Sequence, residues 1–112
     1  MRMKVVKRPW GDFKQFVLNK KCTVKLLTLK SKQELSLQSH KKRVENWYFL
    51  NSALAQVGNK KFKVKEGDFI HIKRNEKHRV IAQGNDAKFL EISFGEFEEN
   101  DETRYEDEYG RK

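Results

Sequence analysis

Gln38 and His40 stand two residues apart where the stretch 35–38 reads as a strand, so both side chains leave the same face of a sheet. Glu45 follows the basic turn Lys41-Lys42-Arg43. If that turn closes a hairpin, Glu45 comes opposite the Gln38/His40 pair. His78 begins a later strand after Arg74-Asn75-Glu76-Lys77, and from a neighbouring strand it can join the same group. Two imidazoles, a carboxylate and an amide oxygen form a mixed nitrogen–oxygen set. Such a set suits one divalent ion (Zn, Mn, Fe, Co or Ni) with positions left open for water or substrate, and it does not choose among them. On spacing alone, the commoner reading of each of the three histidines, His40, His71 and His78, is a packed or surface imidazole.

Side chains so placed need rigid elements beneath them. Helical periodicity is hard to find, whereas period-two alternation recurs over residues 22–29, 35–38, 47–50, 61–64 and 69–72. Turn-forming clusters separate these stretches: Ser31-Lys32-Gln33-Glu34, Gly58-Asn59-Lys60, Glu66-Gly67-Asp68, Arg74-Asn75-Glu76 and Gly84-Asn85-Asp86. Short strands with a turn about every ten residues predict an all-β sandwich or barrel. Pro9, the single proline, reads as an entry turn ahead of the first clear strand. A length of 112 residues encloses one core, so a single domain is expected over 1–112. Its acidic end, 96–112, carries Phe97, Tyr105 and Tyr109 and is expected to pack back on the barrel.

Charge narrows the partners. Residues 1–95 hold 22 Lys/Arg against 8 Asp/Glu, and residues 96–112 hold 3 against 8, giving a basic body and an acidic tail. A basic body could attract nucleic acid, a membrane surface or a small anion such as a sugar phosphate, and charge alone does not choose; the lysines are scattered singly and no nucleic-acid-binding motif appears, so a solvated, Lys-rich surface is the favoured reading. The N-terminus has no long apolar run, which argues against a signal peptide or a membrane span and for a cytoplasmic protein. Cys22, the lone cysteine, permits no intramolecular disulfide and reads as a buried, inert thiol in a reducing compartment.

The segment 35–47, followed by Gly67-Asp68-Phe69-Ile70-His71-Ile72 and Lys77-His78-Arg79, resembles the two conserved boxes of cupins. More narrowly, the chain resembles the cupin domain of type II phosphomannose isomerases, the C-terminal part of bifunctional mannose-1-phosphate guanylyltransferase/mannose-6-phosphate isomerases. Arg8-Pro9-Trp10-Gly11 matches that family's opening Arg-Pro-Trp-Gly, and Gly95-Glu96 and 106–111 match its Gly-Glu and terminal Glu-Asp-x-Tyr-Gly-Arg. The fold implied is the cupin double-stranded β-helix, a jelly roll. The ligand set implied is Gln38, His40, Glu45 and His78, since this family, too, has Gln where general cupins have the first His.

The resemblance implies a metal-dependent aldose–ketose isomerase interconverting mannose 6-phosphate and fructose 6-phosphate; guanylyl transfer is not expected. Arg43 matches a conserved arginine and is the candidate for substrate binding or catalysis, while Arg8, Arg104 and Arg111 from the terminal motifs are candidates for the phosphate. His71 is the remaining imidazole and a candidate base, or a packed strand residue. The family's usual His-His-His-Arg and Glu-His-Trp read here with Lys41, Lys42 and Asn46 in place of His, and the second-box Pro-x-Gly turn becomes Lys73-Arg74-Asn75. Those departures bear on proton transfer more than on the metal. They keep open a second reading, a non-catalytic metal-containing cupin that binds a sugar phosphate or another small anion. Cupins often dimerise through their sheets, so a homodimer is compatible with either reading.

Overall fold

In the computed structural model, residues 3–96, 98 and 100–106 are described, and among them every regular element is a strand. In chain order these are β1 (Lys4–Arg8), β2 (Gly11–Gln15), β3 (Thr23–Leu29), β4 (Leu37–Ser39), β5 (Arg43–Phe49), β6 (Ala53–Val57), β7 (Lys60–Val64), β8 (Phe69–Ile72), β9 (His78–Ile81), β10 (Ala87–Gly95) and β11 (Thr103–Glu106). A four-stranded sheet, β3-β10-β5-β8, and a five-stranded sheet, β11-β4-β9-β6-β7, share one apolar core. This is the cupin double-stranded β-helix. Among the described residues, no helix is long and apolar enough to cross a membrane.

The core is aromatic. Phe49 stacks on Phe89 at 5.3 Å between ring centroids, Trp47 meets Phe49 edge-on at 6.2 Å, and all three are buried. Offset and edge-on arrangements of this kind suit the ring quadrupoles. Ala53, Ala55, Val64 and Val80 pack against them from the opposite sheet.

β4 and β5 do not form the hairpin expected from the Lys41-Lys42-Arg43 turn. β4 pairs with β9 and β11, whereas β5 pairs with β8 and β10, so the corner carries the chain from one sheet to the other. Gln38 and His78 are partners in register on one sheet, and Glu45 faces them from the other. The corner is close-packed. Gly95, opposite Arg43 in register, has φ +106°, and a Cβ there would lie 2.4 Å from the Lys42 carbonyl oxygen. Asn75 replaces the usual second-box glycine and holds φ at 64°, a conformation that Asn tolerates.

Two local expectations change. Pro9 is not an entry turn: β1 precedes it and pairs in full register with β2, which leaves Pro9-Trp10 as a two-residue hairpin loop with Trp10 exposed. Cys22 is exposed, not buried. The reason is the parity of β3, whose inward residues are Thr23, Lys25, Leu27 and Leu29, while Val24 and Leu26 face out. The sandwich turns a polar end of its interior toward the site, so apolar residues sit outside where a simple amphipathic strand would bury them.

Candidate metal centre

Strand alternation puts Arg43, Glu45, Trp47 and Phe49 of β5 on the inner face. Phe49 and Trp47 join the core, and Glu45 and Arg43 continue the same line into a cavity of about 210 Å³. Gln38, His40 and His78 line that cavity from the other sheet. His40, Glu45 and His78 are buried, with ligand atoms all within 4.8 Å of one another. His40 Nε2 lies 3.2 Å from Glu45 Oε2, and His78 Nε2 lies 3.6 Å from Glu45 Oε1.

The outward nitrogens decide what the inward ones offer. His40 Nδ1 lies 2.8 Å from the Asp101 carbonyl and His78 Nδ1 lies 2.7 Å from the Glu76 carbonyl. A carbonyl only accepts, so each Nδ1 carries the proton and each Nε2 turns a lone pair toward Glu45. Burial lowers the pKa of both imidazoles below the ordinary histidine value, which favours the neutral, ligating form. Glu45 is oriented by Arg43 Nε, donating to Oε2 at 3.1 Å, and by Trp47 Nε1, donating to Oε1 at 3.1 Å. His78 Nε2 and Gln38 Oε1 are buried without a hydrogen-bond partner. Orphaned acceptors beside a carboxylate are what a cation would satisfy, so this donor set fits a divalent ion.

The remaining sequence candidates divide. Arg43 lies in the site, its Nη2 3.2 Å from His40 Nε2. Arg104 lines the cavity, pairs with Glu102 and stands in register with Gln38. Arg8 does not come to the cavity; it lies beside the exposed hairpin tip, 5.5 Å over the Phe13 ring. His71 is turned away as well. Its register partner is Asn46, on the outer face of the sheet, and its Nδ1 is 2.6 Å from Asn46 Oδ1. Arg111 lies outside the described residues.

Sequence reasoning missed Lys25, Glu91 and Glu102, which complete the cavity wall, and Asp101, whose carbonyl sets His40. A signal existed for two of them: on the inward parity of their strands, Lys25 and Glu91 are charged residues in otherwise apolar or small-residue lines.

The residues that depart from the family's histidines lie outside the cavity. Lys41 and Lys42 are exposed, with their backbone N–H groups donating to Asp101, and Asn46 faces His71 across the outer side.

Comparisons with known proteins bear on the family and the fold. The alginate biosynthesis protein AlgA of Pseudomonas aeruginosa is 34% identical over 110 residues, covering 95% of this chain and 23% of its own length. The mannose-1-phosphate guanylyltransferase ManC of Salmonella typhimurium is 31% identical over 109 residues, again 95% of this chain and 23% of the relative. The chain thus spans about a quarter of the length of these curated relatives. A Klebsiella pneumoniae protein with a double-stranded β-helix domain superposes with a TM-score of 0.68 at 17% identity, over 81% of this chain and 80% of that one. The sequence matches the family described as mannose-6-phosphate isomerase C-terminal across residues 1–107, and the chain belongs to that family.

Proposed function

We propose that this domain is a metal-dependent aldose–ketose isomerase acting on mannose 6-phosphate and fructose 6-phosphate. The observation that carries the reading is the convergence of His40 Nε2, His78 Nε2, Gln38 Oε1 and a doubly oriented Glu45 on one cavity that also holds Arg43 and Arg104. Gln38, His40, Glu45 and His78 would hold the ion. When bound, it would supply a positive charge that polarises the carbonyl and hydroxyl oxygens at C1 and C2.

The chain's own residues do the rest. Arg43, buried beside Glu45 and His40, presents a permanent positive charge where the enediolate oxygen develops. Arg104, at the cavity wall, offers planar donors suited to the phosphate. The family's positions now occupied by Lys41, Lys42 and Asn46 point away from the cavity, so these changes leave its chemistry in place. That weighs for an isomerase over a binding module.

The test is conversion of mannose 6-phosphate by metal-stripped protein to which Zn, Mn, Fe, Co and Ni are restored in turn. Turnover with at least one metal is expected. Binding of the sugar phosphate without turnover under every metal would replace the isomerase with the binding module.

A further inference from the structure

We propose that Glu91 is the carboxyl that carries the proton between C1 and C2 of the sugar phosphate, an assignment that rests on the isomerase reading. Glu91 lies on the inner face of β10, in register with Trp47 of β5 on one side and Lys25 of β3 on the other. The register partner of Glu45 is Ser93, two residues along, so Glu91 is the diagonal neighbour of Glu45. Diagonal positions across an antiparallel pair are about 7–8 Å apart at the backbone, a spacing that long side chains such as two glutamates bridge. Both groups line the same cavity.

Elimination points the same way. Glu45 is engaged by Arg43 and Trp47, Glu102 is paired with Arg104, His78 Nε2 faces the ion site, and His40 Nε2 lies there with Arg43 Nη2 3.2 Å away. His71 is on the outer face. Among the described residues, Glu91 is the cavity's remaining carboxyl. Burial, reinforced by the charge of Glu45 and opposed by Lys25 and Arg43, raises its pKa to about 7 in the metal-free protein.

The step balances within the substrate. Glu91 carboxylate removes the C2 proton of the open-chain aldose phosphate; the C2–H pair becomes the C1=C2 bond, and the carbonyl pair moves to O1. The O2 proton passes to O1, the C2=O bond forms, and the Glu91 carboxyl returns its proton to C1. The product is the ketose phosphate, and no oxidant or reductant takes part.

The test compares full-length wild type, Glu91→Gln and Glu91→Asp, each loaded with the metal that supports wild-type turnover. It reads conversion in D2O together with deuterium incorporation at C1 and C2 by NMR. For Glu91→Gln, kcat and deuterium incorporation are expected to fall together by about a hundredfold or more, with KM, metal content and fructose 6-phosphate binding by calorimetry within a few-fold of wild type. A folded Gln variant that converts and exchanges within about tenfold of wild type overturns the role of Glu91 and leaves the isomerase standing. If the Gln variant does not fold, Glu91→Asp decides. Its carboxyl is drawn back by one methylene, so a loss of about tenfold or more is expected, and a wild-type rate overturns the proposal. A wild-type protein that neither converts nor exchanges under any metal overturns the isomerase and the assignment to Glu91 together.

Discussion

Burying a carboxylate between two imidazoles is costly unless every charge and lone pair has a partner. Glu45 has Arg43 and Trp47; the imidazoles have backbone carbonyls behind them. This arrangement fixes the sign of a pH effect in the metal-free protein. Burial lowers the folded-state pKa of His40 and His78, so below the ordinary histidine value of about 6.5 the unfolded chain binds protons that the folded one does not. Their contribution to stability is complete above that pH and is lost as pH falls through the lowered folded values. Urea unfolding of metal-free protein should show a midpoint that drops below pH 6.5, and His78→Gln should flatten that drop. Arg43 is tested by kinetics. If its charge is felt chiefly in the transition state, Arg43→Lys should lower kcat while changing KM little, and Arg43→Ala should cost about 2.7–4 kcal/mol, roughly a hundred- to a thousand-fold in turnover. A rise in KM alone would make Arg43 a uniform binder of phosphate.

The elements that carry these residues are short, and the tightest of their constraints falls at the corner between the sheets. Gly95→Ala would place a methyl 2.4 Å from the Lys42 carbonyl oxygen and hold a residue with a Cβ at φ +106°. Both costs fall on the segment that aims Arg43. Thermal unfolding of Gly95→Ala should show a loss of stability of about 2 kcal/mol or more, whereas Gly84→Ala, with open space around its Cβ position and no positive φ, should change little. Much of this architecture was legible in the alternation and in the turn clusters, and the four residues that meet at the cavity, Gln38, His40, Glu45 and His78, were legible from the boxes they occupy. Facing was not. The apolar line Cys22-Val24-Leu26 reads as a buried face, yet β3 turns Lys25 inward, because the cavity end of this sandwich is lined with polar and charged groups. For the same reason His71 reads as a candidate base but sits across the sheet. A change of one residue in strand parity exchanges the two faces, and composition does not set that parity. The change of sheet between β4 and β5 was equally hidden, since a short basic turn serves a hairpin or a crossing.

At the scale of the whole molecule, the contrast between basic body and acidic tail acquires a local meaning. Lys42 Nζ lies 3.0 Å from Glu98 Oε2, and the backbone N–H groups of Lys41 and Lys42 donate to the Asp101 carboxylate at 3.1 and 2.8 Å. Exposed pairs of this kind add little stability. They do hold the Asp101 carbonyl against His40, and β11 beyond it completes the edge of the five-stranded sheet beside Gln38. The described residues of the tail, the corner and the cavity thus form one unit around the proposed ion. Gln38, His40, Glu45 and His78 are proposed to build a metal centre, and elemental analysis of purified protein decides whether they do. About one transition-metal ion per chain is expected in the wild type and almost none in a folded His40→Ala/His78→Ala double variant; full metal content in that variant would rule the centre out.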